Sequence, residues 1–305
     1  MKKINYCILF SFCFICFFSG CNALKELTTN DKISQETYTL PDMIAPVVDE
    51  KDFVQVENCN IDLSTCTQGC IFATYTGTKK AKIQILKDNE KYNYDLIPSQ
   101  TTAYPLQMGD GTYTVKCLEN IEGTQYTIVL SQDFEVHLQN EFIPFLVSSQ
   151  IVNYNADSTS VQFARETLAP EASNDVELVN AVYTWIVQNI TYDDEKAATV
   201  ENGYLPNPDA TFQDGKGICF DYAALMATML RSCGIPTKLL TGTVKSQGIY
   251  HAWVQVYIED SGWMEIGFDA KGPQWLCMDP TFGASSKDPA EDIGDTSDRE
   301  LRYTY

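Results

Sequence analysis

Cys219 occupies a position at which a thiol can act as a nucleophile. It follows Gly215-Lys216-Gly217-Ile218 and opens a segment whose apolar spacing predicts a helix. The dipole and the unpaired backbone N–H groups of a helix N-terminus stabilise a thiolate, so we expect a lowered pKa for this thiol. The same N–H groups can bind the oxyanion that forms on an attacked carbonyl. A buried structural cysteine is the alternative interpretation, and Cys233 at the other end of the helix fits it.

Two later residues are of the types that a nucleophilic thiol needs as partners. His251 begins a predicted strand, and Asp279 follows further along the chain. An imidazole accepts the thiol proton and later returns it to the leaving group, while a carboxylate orients the ring through its other N–H. The chain contains only one other histidine, His137, which lies in a strand pattern with no nucleophile motif nearby. We therefore interpret His137 as a strand residue on a polar face and predict a Cys219, His251, Asp279 triad.

The sequence around these three residues resembles the bacterial transglutaminase-like superfamily. The matching blocks are Gly217-Ile218-Cys219-Phe220-Asp221-Tyr222-Ala223, Leu230-Arg231-Ser232-Cys233-Gly234-Ile235-Pro236, Tyr250-His251-Ala252-Trp253 and Trp275 to Asp279-Pro280-Thr281. Weaker similarity at 189–193 and 203–206 extends the resemblance over roughly residues 155–283. The sequences at 105–113 and 144–146 resemble those of exported family members that carry an N-terminal domain. The resemblance implies a papain-like core, with the cysteine on a central helix against a sheet that bears the histidine and the aspartate.

Three further residues are candidates for supporting roles. Gln213 precedes Cys219 at a position where papain-like peptidases place an oxyanion-binding glutamine, and Tyr192 is a second possible oxyanion donor. For both, a structural hydrogen bond to the backbone is the alternative. Trp253 lies on the same strand face as His251, where it can shield the imidazole from water or simply pack.

A cysteine nucleophile without a cofactor motif predicts acyl transfer through a thioester. An amide carbonyl of a protein or peptide, with cell-wall peptide as one candidate, is attacked, and an amine leaves. A lysine acceptor would give an isopeptide cross-link, and water would give a peptidase or amidase. The alternative is a catalytically silent surface lipoprotein, in which a β-domain binds a partner and the papain-like domain is a scaffold.

Composition and charge exclude several other classes. The chain has 305 residues, 44% of them hydrophobic, and a formal net charge of −20, so binding to nucleic acid by charge is not expected. Two histidines rule out a multi-histidine metal centre, and we predict no cofactor and no metal. Metal binding by Cys59, Cys66 and Cys70 is a further hypothesis, but disulfide formation by the cysteines of this region is favoured in an exported protein. The sequence leaves the pairing of these cysteines open.

The N-terminus predicts export. Residues 1–20 combine a positive start with a short apolar run, and Phe18-Ser19-Gly20-Cys21 resembles a bacterial lipobox. We expect Cys21 to be lipidated and to anchor the protein to the membrane outside the cytoplasm, with the lipid as its only membrane contact. An ordinary signal peptide cut near Gly20 is the alternative. Residues 21–50 are polar and predict a flexible tether.

The remaining pattern predicts an α+β fold in two domains. Residues 51–154 contain short alternating runs and turn signals, which favour a small Ig-like β-sandwich. Residues 155–305 form the predicted transglutaminase-like catalytic domain, with an acidic C-terminal segment over 287–300. Its expected elements are a helix capped by Asn174, a loop over 202–217, the Cys219 helix, and strands from His251 and Trp275.

Overall fold

The fold is that of a computed structural model, which describes residues 38–49, 51–246, 248–259, 261–269, 272–274 and 299–305. The predicted signal peptide, Cys21 and the predicted strand with Asp279 lie outside the described residues. Within the described residues, no helix is both long and apolar enough to cross a membrane.

The first part of the described chain is all β, as predicted. Its strands are β1 Phe53–Val56, β2 Cys59–Asp62, β3 Cys70–Tyr75, β4 Ala81–Lys87, β5 Glu90–Leu96, β6 Thr102–Pro105, β7 Gly111–Glu122 and β8 Gln125–Val136. They form two antiparallel sheets, in the orders β1-β2-β3-β6 and β5-β4-β7-β8. On β4, Ala81, Ile83 and Ile85 are buried while the residues between them are partly exposed. This period-two pattern places one face of the sheet in the core.

Helices and two very short strands follow. They are α1 Thr159–Phe163, which continues as a π-helical turn Ala164–Leu168 and a 3-10 turn Ala169–Glu171, then α2 Asp175–Asn189, β9 Thr191–Tyr192, α3 Asp194–Thr199, α4 Pro208–Asp214, β10 Lys216–Gly217 and α5 Cys219–Ser232. Asn174 caps α2 through Glu177 N–H, as its sequence predicts. Every residue of α5 from Asp221 to Ser232 is buried. A helix buried on all sides is a central helix, which is the position expected for the segment that carries Cys219.

The chain then forms an antiparallel sheet, whose described strands differ in length. Its strands are β11 Thr237–Val244, β12 Ile249–Ile258, β13 Gly262–Asp269, β14 Gly272–Gln274 and β15 Arg299–Thr304, in the spatial order β14-β13-β12-β11-β15. Helix α5 packs against β11, β12 and β13. The predicted arrangement of a cysteine-bearing helix against a histidine-bearing sheet is therefore present.

The two parts of the protein share one continuous hydrophobic core. On β15, the ring of Tyr303 lies 5.7 Å from that of Tyr92 in the β-sandwich region. The buried guanidinium of Arg231 donates to the carbonyls of Val147, Thr237 and Tyr305, at 3.0, 2.8 and 2.8 Å. Through these bonds Arg231 connects the end of α5 to the segment that contains Val147, to the start of β11 at Thr237, and to Tyr305, which follows β15.

Three segments differ from their sequence-based interpretation. The predicted 202–217 loop contains α4, which Asn207 caps and which ends at Gly215 with a left-handed φ of 63°. The predicted acidic tail reaches Glu300, yet Arg299 and Glu300 already pair with β11 as part of β15. Residues 38–49, expected in the tether, lie along the folded body, where Arg165 donates to the carbonyl of Pro41 at 3.1 Å. That part of the segment is packed because, unlike the residues before it, it is largely apolar, and Leu40, Met43 and Ile44 pack against buried clusters.

Candidate active site

The turn before Cys219 is fixed by a small parallel ladder. Strand β10 pairs with β9, with Gly217 opposite Tyr192, and the N–H of Asp193 donates to the carbonyl of Gly217 at 2.9 Å. A side chain at Gly217 would not fit, since a Cβ built there lies 2.7 Å from the Cβ of Asp221. The ladder and the glycine together set the direction in which the chain enters α5.

The thiol of Cys219 lies among backbone N–H groups. It accepts hydrogen bonds from the N–H of Ala252 on β12 and from the N–H of Phe220 in the first turn of α5, and both lower its pKa. Burial has the larger effect, so the pKa of the thiol is raised above its ordinary value. The predicted donors are therefore present, but the predicted net lowering of the pKa is wrong. The helix-terminus argument omitted the burial of the side chain.

His251 stands next to the residue that contacts the thiol. It lies on β12 opposite Gly242, directly before Ala252. Hence the sheet brings the predicted histidine to the N-terminus of the predicted nucleophile helix. The third predicted member, Asp279, lies outside the described residues. His137 is exposed at the end of β8, in the other part of the fold.

Trp253 is buried to 2% exposure and stacks alongside the imidazole of His251, with ring centroids 6.3 Å apart and planes 17° apart. Its other neighbour is Arg299, whose guanidinium carbon lies 4.9 Å from the tryptophan ring centroid. The tryptophan ring therefore lies beside the imidazole, which itself is partly exposed. The arrangement agrees with the predicted shielding role, which stays a prediction.

The two predicted oxyanion donors lie in different surroundings. The exposed Gln213 on α4 donates from Nε2 to the hydroxyl of Thr159 at 3.3 Å. It would have to leave Thr159 to serve an oxyanion. Tyr192 lies on β9, opposite Gly217, and its ring centroid is 6.4 Å from that of Tyr222. The backbone N–H groups at Cys219 are therefore the donors that the structure places at the thiol itself.

Sequence reasoning missed a charged cluster in the first turn of α5, next to Cys219. Asp221, two residues after Cys219, has no exposed surface, and its Oδ2 accepts from Lys196 Nζ at 2.6 Å and from the N–H of Ile218 at 2.9 Å. Its Oδ1 accepts from the hydroxyl of Tyr204 at 2.5 Å. An acidic residue in the first turn of a helix was a visible signal for the bond to Ile218. Nothing local in the sequence indicated the lysine and the tyrosine.

The other cysteines do not form a metal site among the described residues. In this part of the chain no group of three histidine, cysteine or acidic side chains could hold an ion. Cys59 contacts Cys117 inside the sandwich, whereas Cys70 belongs to a separate small cluster with Ile143 and Val147. The three cysteines of the metal hypothesis are thus not brought together. Cys219 itself carries a free thiol.

Comparison with known families gives one clear match. Residues 161–268, which include α5 and β12, match the Transglutaminase-like superfamily. The mouse kyphoscoliosis peptidase is 29% identical over 148 residues, which is 45% of this chain and 19% of that protein. The uncharacterised protein YebA of Bacillus subtilis is 27% identical over 114 residues, 32% of this chain and 16% of that one. The chain thus spans about a fifth of the length of these relatives.

Solved structures that match part of the chain include a TGase, at 22% identity and a TM-score of 0.32 over 37% of this chain and 31% of the other. Legionella pneumophila LapG is 17% identical, with a TM-score of 0.30 over 42% of this chain and 62% of its own.

Proposed function

Residues 161–268 form a transglutaminase-like core domain, and from this premise we propose that the protein is a thiol acyl-transfer enzyme acting on protein or peptide amides through Cys219. One observation carries the proposal. The thiol of Cys219 lies at the start of a buried helix and accepts N–H hydrogen bonds from that helix and from Ala252, the neighbour of His251. A nucleophile, a base and N–H donors in one place are what acyl transfer needs.

The first half-reaction uses these groups in order. His251 takes the proton of the Cys219 thiol, and the sulfur attacks the amide carbonyl carbon, so that an S–C bond forms and the carbonyl oxygen becomes an oxyanion. The backbone N–H groups beside the sulfur stabilise that oxyanion. The imidazolium then gives its proton to the departing amine as the C–N bond breaks, and a thioester remains. We propose that Asp279 orients the imidazole, as in the family resemblance.

The second half-reaction decides which kind of enzyme this is. A lysine amine that attacks the thioester carbon gives an isopeptide cross-link, whereas water gives a carboxylate and a peptidase or amidase reaction. In both cases the S–C bond breaks, and the proton that His251 takes from the acceptor returns to the Cys219 sulfur. One relative bears the name peptidase, which agrees with water as acceptor, although the aligned region is 19% of that protein. We propose the hydrolytic reaction first and the cross-linking reaction as its competitor.

The proposed place of action is outside the cytoplasm. The apolar run before Cys21 supports export, and the cysteine supports a lipid anchor. Intact-mass analysis of the membrane-extracted protein should show a chain that begins at Cys21 with a diacylglyceryl group. Replacement of Cys21 by Ser should release the protein from the membrane, and retention of that variant would contradict the anchor.

The acyl-transfer proposal is tested with the purified protein and its Cys219→Ala variant. Each is incubated with a glutamine-donor protein, a tagged primary amine and cell-wall peptides, while ammonia, tag incorporation and new peptide ends are followed by mass spectrometry. New ends that depend on Cys219 support the hydrolase, and tag incorporation that depends on Cys219 supports the transglutaminase. Silence in both channels would favour the catalytically inactive surface protein.

A further inference from the structure

Asp221 is a buried carboxylate with three hydrogen-bonded neighbours at the base of the nucleophile helix. The distances are 2.6 Å from Lys196 Nζ to Oδ2, 2.9 Å from Ile218 N to Oδ2, and 2.5 Å from the Tyr204 hydroxyl to Oδ1. Lys196 Nζ also lies 2.5 Å from the Tyr204 hydroxyl oxygen, which closes the triangle. The cluster joins α3, the loop after it and the first turn of α5.

The protonation states fit these bonds. Burial opposes a charge on Lys196, but the hydrogen bonds to Asp221 and Tyr204 outweigh it and raise the lysine pKa above its usual value. Burial, followed by the bond to Asp221, raises the pKa of Tyr204 to about 12. Near neutral pH the lysine is therefore an ammonium and the tyrosine keeps its proton, so both donate to the carboxylate.

The carboxylate also acts on the thiol. Burial and the backbone N–H groups have the largest effects on the pKa of the Cys219 thiol. The negative charge of Asp221 has a smaller effect, which also raises that pKa. Further titratable groups near this turn include His251 beside Ala252 on β12, Tyr192 and Asp193 on the β9 side, and Lys216 on β10, which pairs with Asp193 at 3.1 Å. Without a cationic partner, a carboxylate two residues from the sulfur would destabilise the thiolate by charge repulsion. An unpaired buried charge would also lower the stability of the fold.

We propose that Lys196 and Tyr204 are positioning residues for Cys219, since they hold the Asp221 carboxylate in the first turn of α5 and Lys196 balances its charge beside the thiol. The inference rests on the proposed function only in that Cys219 is the nucleophile. Asp221 in turn fixes Ile218, the residue before Cys219, through its N–H. Lys196 thus acts on the reaction through Asp221 and does not touch the sulfur.

The test measures alkylation of Cys219 by iodoacetamide across pH, read as peptide masses, in the full chain. For Lys196→Met we expect a rate at pH 7.5 about tenfold below that of the wild type, because the buried charge is no longer balanced. The double variant Lys196→Met with Asp221→Asn removes both charges and should recover to within about twofold of the wild-type rate. A purely structural role of the lysine would not give that recovery.

Lys82→Met is the matched control. Lys82 pairs with Asp95 at 2.5 Å and has a side-chain exposure of 31%, close to the 29% of Lys196, but it lies on β4 in the other part of the fold. Its Cys219 alkylation should match the wild type. A wild-type rate in Lys196→Met, or a double variant as slow as the single one, would overturn the proposal.

A second variant covers the case in which Lys196→Met does not fold. Tyr204→Phe removes one donor to Asp221 and leaves the charges in place, so we expect a smaller decrease of the alkylation rate, by about two- to fivefold. An unchanged rate in that variant would also refute the proposal. Alkylation needs no substrate turnover, so a protein without acyl-transfer activity can still pass this test, and the two proposals fail separately.

Discussion

The thiol of Cys219 on α5 accepts a hydrogen bond from the backbone N–H of Ala252 on β12. The bond joins the central helix to the strand of the C-terminal sheet that carries His251. Because Ala252 follows His251 directly, the position of the sulfur and the position of the histidine are set by the same strand. The arrangement makes the chemistry of Cys219 depend on the packing of α5 against the sheet.

Replacement of Cys219 by Ala should abolish acyl transfer while changing the melting temperature little. The change removes one sulfur atom at the first residue of α5, and the buried residues 221–232 of that helix are unchanged. Amide turnover and a thermal melt measure the two effects side by side. Equal loss of fold and activity would show that the cysteine is structural.

His251→Ala should lower the alkylation rate of Cys219 near pH 7, because it removes the base that takes the thiol proton. His137→Ala is the matched control, since His137 is exposed at the end of β8. Peptide-level alkylation after iodoacetamide treatment compares the two variants. A wild-type rate in His251→Ala would contradict the Cys219–His251 pairing.

The pH dependence of alkylation reports the effect of burial on the thiol. Burial raises the pKa of the Cys219 thiol above that of an ordinary thiol, and we expect the same direction in His251→Ala, which lacks the imidazole. The thiolate fraction at pH 8 should then be smaller in the folded chain than in the same chain in urea, and the folded profile should rise at higher pH. If the folded protein reacted faster than the unfolded chain at pH 8, the N–H groups would outweigh burial.

Arg231→Met should lower the free energy of unfolding by about 2–5 kcal/mol, because two buried carbonyls and one partly buried carbonyl each lose a guanidinium donor. Those carbonyls belong to Val147, Thr237 and Tyr305. Urea unfolding measures the change, with Arg302→Met as control, since Arg302 is exposed on β15. The control should stay within about 0.5 kcal/mol of the wild type. An equal effect of the two substitutions would refute the tethering role of Arg231.

The sequence by itself located the helix that begins at Cys219 and the strand that carries His251. Both signals are local: an apolar stripe at helical spacing begins at Cys219, and an alternating run begins at His251. The transglutaminase-like resemblance agreed with the match over 161–268. Helix α4 was also locally marked, by Asn207, Pro208 and Gly215, but the composition of that segment led to its interpretation as a loop.

Only the tertiary structure decided the rest, because it depends on residues distant in sequence. The partners of Asp221 come from α3 and from the loop after it, and no spacing rule links Lys196 or Tyr204 to a helix that begins later in the chain. The first two residues of β15 fell within the predicted acidic segment, since pairing with β11 is a long-range event. The direction of the Cys219 pKa shift likewise depends on burial, which a helix-terminus argument does not include.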